Sequence, residues 1–96
     1  MSPIKKKKLD KLRKELDQVD NSLLKIIKKR TDLVKKVLKL KEFKNQIVDK
    51  KRIKIILKNI KTKSIKNNID PKITQKIWKN MIWSYIDYER RNFKKK

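Results

Sequence analysis

The chain has 96 residues, enough for one small domain, and carries 32 basic against 10 acidic side chains, a net charge of +22. It contains no Gly, Cys or His, which excludes disulfides, zinc sites, Ser/His/Asp triads, Cys nucleophiles and glycine-rich phosphate loops. No apolar run approaches the ~18 residues of a membrane span, and Lys5–Lys8 lead into a charged amphipathic helix instead of a signal-peptide core, so a cytoplasmic protein is expected.

Residues 1–8 read as a basic disordered tail. From Leu9, apolar residues recur every three or four positions: Leu9, Leu12, Leu16, Val19, Leu23 and Ile26, then Leu33, Val37 and Leu40. That is the seam of a long helix packed on other helices, and it predicts a helix from Leu9 to about Phe43. At ~1.5 Å per residue such a helix is about 50 Å long, whereas a compact chain of this length has a radius of gyration of only ~12–13 Å. Half of the seam therefore needs a partner chain, and a homodimer with the long helices side by side is expected. One seam slot is polar. A guanidinium at Arg30 is costly there unless an anion meets it. Lys41, close to three turns further on, projects from nearly the same side, while Arg13 lies roughly 100° around the helix. One anionic ligand can meet all three cations only if a second copy supplies Arg13.

Residues 44–48 read as a short link, with Asp49 as the N-cap of a second helix bearing Ile53, Ile56, Leu57 and Ile60 on one face. The polar, Asn-containing run 61–69 reads as a loop. Asp70-Pro71 is a strong helix start and opens a third helix to about Phe93. Its stripe is Ile77 or Trp78, Met81 or Ile82, Tyr85, Glu89 and Phe93, with Glu89 an acid among apolar neighbours. The last three Lys residues read as a frayed end. The expected fold is thus all-α, three helices in a single domain over 9–93, assembled as an intertwined helical homodimer.

The charge invites a nucleic-acid reading, but 27 of the 32 basic residues are Lys spread over almost every exposed helix position. With abundant Ile and Asn and no Ala or Gly, this resembles the compositional drift of an AT-rich genome. A solvated face is the plainer account of any single Lys, and nucleic acid is not an expected partner.

Arg13, Arg30, Lys41, Asp49, Arg52 and Glu89 are the residues that the core pattern does not explain. The stretch LRKELDQVDNSLLKIIKKR, the Lys eleven residues after Arg30, Val48-Asp49-x-x-Arg52 and Ile69-Asp70-Pro71 follow one another in an order and spacing that resembles the all-helical, AroQ-type chorismate mutases. The resemblance covers about Leu9 to Phe93. It implies an entwined dimer of three-helix chains, each of two sites taking one Arg from the partner's long helix. It also implies the rearrangement of chorismate to prephenate in phenylalanine and tyrosine biosynthesis, with no covalent intermediate and no cofactor. By position, Arg30 would hold the ring carboxylate and Arg13 of the other copy the side-chain carboxylate. Lys41 would assist Arg13 and donate to the ether oxygen. Asp49 would meet the ring hydroxyl and Arg52 would support the site. The planar fork of Arg suits carboxylates.

Three positions depart from the family pattern. Ile53 stands where typical mutases have a Glu for the ring hydroxyl, Tyr85 where they have Ser, and Glu89 where they have a Gln that donates to the ether oxygen. An apolar residue after Arg52, a Tyr on the last helix and the run Ile82-Trp83-Ser84-Tyr85-Ile86 resemble the isochorismate-pyruvate lyase branch. Retained Asp49 keeps the mutase reading ahead, with a Lys-rich nucleic-acid-binding dimer as the further alternative. The plainer roles are a snorkelling seam residue for Arg30, solvated faces for Lys41 and Arg13, an N-cap for Asp49, an ion pair with a Lys or Arg91 for Glu89, and core or interface packing for Trp78, Trp83 and Tyr88.

Overall fold

The computed structural model describes residues 1–95. Its helices are α1 (Pro3–Leu40), α2 (Lys50–Lys66) and α3 (Pro71–Asn92), with one 3-10 turn at Lys44–Gln46 and no strand among the described residues. The chain adopts the expected all-α, three-helix fold.

Both ends of α1 correct the sequence reading. The helix starts at Pro3, so most of the expected disordered tail is helical. Ser2 caps it: its hydroxyl accepts the Lys5 N–H at 3.3 Å, its carbonyl accepts the Lys6 N–H at 2.9 Å, and Pro3 takes the first helical position. The helix stops at Leu40, before the expected Phe43. There the Gln46 side-chain oxygen accepts the N–H groups of Glu42 and Phe43 at 2.7 and 2.9 Å, so a side chain replaces the helix carbonyls as their acceptor.

Asp49 caps α2 as expected, its carboxylate accepting the Arg52 N–H at 3.0 Å. The loop expected over 61–69 is a correction, because α2 continues to Lys66. The polar run is its outer face, and Ser64 is turned inward and buried. The helix closes on Asn68, whose φ of 57° is left-handed. The N–H groups of Ile69 and Asn68 return to the carbonyls of Ser64 and Ile65 at 2.8 and 3.2 Å, a Schellman ending with Asn in the usual place of Gly. Asp70 and Pro71 open α3, with the Asp70 carboxylate accepting the Lys72 N–H at 2.9 Å. The helix ends at Asn92. Of the expected frayed end, Lys94 and Lys95 are exposed beyond the helix and Lys96 lies outside the described residues.

The chain divides into two units, Met1–Leu33 and Val34–Lys96, and α1 runs across the division. The first unit is helix with no buried side chain, and its seam residues Leu12, Leu16, Val19 and Leu23 are 51–60% exposed. The second unit packs α2 on α3. Its core is Ile47, Ile82 and Ile86, flanked by Val48, Ile53, Ile56, Leu57 and Phe93. Polar bonds tie the same helices: the Ser64 and Thr74 hydroxyls lie 2.7 Å apart, and the Gln75 side-chain amide donates to the Leu57 carbonyl at 2.9 Å. These groups are buried or half-buried and mutually satisfied, so they fix the pairing of α2 with α3 without the cost of orphaned polar atoms.

Candidate active site

The second unit holds the most specific arrangement. Lys41, just past α1, reaches Glu89 near the end of α3, with Nζ donating to the two carboxylate oxygens at 3.0 and 3.1 Å. The carboxylate is 6% exposed and the ammonium side chain 18%. Lys41 and Glu89 are 48 residues apart in the chain, so only packing joins them. Glu89 sits on α3 one turn beyond Tyr85 and three residues after the core residue Ile86, which places its carboxylate at the edge of the core. Taking an unpaired charge there would cost several kcal/mol, and the ion pair offsets this. The ordinary role for Glu89, a partner Lys, is therefore present, and that partner is itself a candidate site residue.

Lys41 and Asp49 line one open depression with Asn45, Gln46, Val48, Lys50 and Lys51. One Asp49 oxygen caps α2, and its carboxylate is exposed at the rim. Its lining holds the cations Lys41, Lys50 and Lys51, the Asp49 carboxylate and amide groups from Asn45 and Gln46, a set suited to an anion that also carries hydroxyl groups. Arg52 has an exposed side chain and contributes its backbone N–H to the Asp49 cap. Tyr85 is half-buried on α3, and Ile53 packs against the core. Arg13 and Arg30 belong to the first unit: Arg13 is exposed and Arg30 is half-buried on the seam face of α1.

The structure thus joins Lys41 with Glu89 and with Asp49. Gln46 is a member of the depression that the sequence reading passed over. A Gln three residues after an extended Phe43 is a helix-start signal, since a side chain at that position reaches back to the preceding backbone.

A family model, chorismate mutase type II, matches residues 12–90. Comparison with curated proteins and with solved structures gave no match. The matched span takes in the α1 seam, the Lys41–Glu89 pair and the Asp49 cap and leaves out only the ends, and on that ground the chain belongs to the chorismate mutase type II family.

Proposed function

We propose that the protein rearranges chorismate to prephenate in aromatic amino acid biosynthesis, as a cytoplasmic homodimer with two shared sites. The family is enzymatic, an isomerase family acting on chorismate. The observation that carries the reading to this chain is the Lys41–Glu89 pair beside Asp49: a half-buried cation held in place by a buried carboxylate at the wall of an open depression. The reaction needs no nucleophile. Charge develops on the ether oxygen as its bond to the ring carbon breaks, and a fixed donor aimed there lowers the barrier without reorganisation. Lys41 is that donor, and Glu89 holds its ammonium in position. Arg30 and the other copy's Arg13 bind the two carboxylates, Asp49 meets the ring hydroxyl, and Arg52 and Tyr85 complete the binding surface. Glu89 donates to the ether oxygen itself only when protonated.

The exposed seam of the first unit supports the dimer. Leu12, Leu16, Val19 and Leu23 form a continuous apolar row that a second α1 would cover. Ile53 favours a second reading, an isochorismate-pyruvate lyase, because an apolar side chain cannot accept from the ring hydroxyl. The test is ultraviolet loss of chorismate with purified protein, followed by product analysis with chorismate and isochorismate in parallel. Prephenate from chorismate upholds the mutase. Pyruvate and salicylate from isochorismate, with chorismate persisting at its uncatalysed rate, replace it with the lyase.

A further inference from the structure

The outer side of α3 carries a feature that the proposed reaction leaves unused. Lys72, Lys76, Lys79, Trp83 and Arg90 are all exposed. At about 100° per residue they fall within a strip roughly 60° wide. Trp83 is 52% exposed in the middle of that strip. Apart from buried Glu89, the one acid on α3 is Asp87, and Arg91 pairs with it at 2.9 Å. The strip therefore carries four cations and an open indole, with the paired Asp87 at its edge. By contrast, α2 bears Lys50, Lys54, Lys58 and Lys61 along one side, with no aromatic residue on the helix.

We propose that this strip of α3 binds single-stranded nucleic acid, the cations following the phosphates and Trp83 stacking on an unpaired base. A row of cations attracts any polyanion, and the indole narrows the choice. A base offers a flat face to it, whereas an acidic peptide offers charge alone. Duplex bases are already stacked and do not reach an indole on a convex helix. An anionic membrane needs several apolar side chains on one face. Here the nearest exposed candidates, Ile73 and Ile77, lie roughly 80° and 120° around the helix from Trp83. This function is separate from chorismate turnover and stands whichever substrate the enzyme uses.

The test measures binding of the intact protein to labelled oligothymidylate of about 20 nucleotides across a salt series. Heparin, a duplex of equal length and phosphatidylserine vesicles serve as comparison ligands. Each strip cation that neutralises a phosphate should contribute about 0.7 to the negative slope of log affinity on log salt. Lys76→Ala with Lys79→Ala should reduce that slope by about 1.4, with a larger loss of affinity than the equal charge change Lys58→Ala with Lys61→Ala on α2. Trp83→Ala should weaken oligothymidylate about tenfold, leave heparin binding unchanged and leave chorismate turnover unchanged. Trp83→Phe should restore most of the loss. All five substituted side chains are exposed, and circular dichroism checks the folding of each variant. The proposal is overturned if the two double variants lose affinity equally and Trp83→Ala has no effect, since the attraction is then that of a general polycation. It is also overturned if duplex or vesicles bind more tightly than oligothymidylate, or if oligothymidylate does not bind at moderate salt.

Discussion

The two units of this chain carry the same apolar spacing and do opposite things with it. In Val34–Lys96, residues three and four apart on α2 and α3 meet across the chain and close around Ile47, Ile82 and Ile86. In Met1–Leu33, an equally regular row of Leu12, Leu16, Val19 and Leu23 has more than half of its surface open. Periodicity thus reports that a face will be covered and does not report by what. The second unit finds its cover within the chain. The first presents a seam with a guanidinium, Arg30, set among apolar neighbours. A long apolar row of this kind on a free monomer would be an association site, and the dimer proposed above is the assembly that uses it.

The largest effects should come from the cations of the first unit. Arg30→Ala and Arg13→Ala should each lose about 3–4 kcal/mol of transition-state stabilisation while remaining folded. Mixing the two inactive proteins should then restore turnover, because a mixed dimer holds one site with both Arg residues intact. Continued inactivity after verified subunit exchange would break the shared-site assignment.

A second pair of variants compares the units directly. Ile86→Ala removes a buried side chain and should cost about 2–4 kcal/mol of stability. Leu16→Ala should cost nearly as much if a second copy covers the seam, with a melting temperature that rises with protein concentration. A cost for Leu16→Ala within about 0.5 kcal/mol, independent of concentration, would mean that the row stays exposed in solution.

In the proposed site Glu89 holds the ammonium of Lys41. Glu89→Gln keeps the shape but withdraws the carboxylate that accepts from Lys41, and catalytic efficiency should fall by the equivalent of about 1.5–3 kcal/mol, the worth of a hydrogen bond to a charged group. An efficiency equal to or above the parent's would make this position a donor to the ether oxygen instead.

Ile53→Glu should lower the Michaelis constant for chorismate by the equivalent of about 1–3 kcal/mol, by giving the ring hydroxyl an acceptor. Because Ile53 packs on the core, folding is checked alongside. Weakened chorismate turnover together with preferred isochorismate in the parent would favour the lyase. The smallest effect is expected at Asn68, whose left-handed φ suits Gly. Asn68→Gly should stabilise the second unit by under ~1 kcal/mol, the relief of strain being partly offset by a freer unfolded chain. Unlike Leu16→Ala, its effect should not depend on protein concentration.

The sequence by itself determined the three helices, because their spacing and their Asp49 and Asp70-Pro71 starts are local signals that no distant contact needs to complete. It also determined the family, because the order of the motifs lies along the chain. Its errors were local as well. Ser2-Pro3 is a helix start hidden in a lysine run, and the polar stretch after Ile60 is the wet side of a continuing helix, legible only once Ser64 meets Thr74. The resemblance implies that Lys41 and the Glu89 position face one ether oxygen, and tertiary structure decided that the two pair directly. The sequence presents a lysine among 27 and an acid on an apolar stripe, and nothing within a few residues of either selects the other. The choice is made by packing, which buries Glu89 beside the core and leaves Lys41 as the cation within reach to balance its charge.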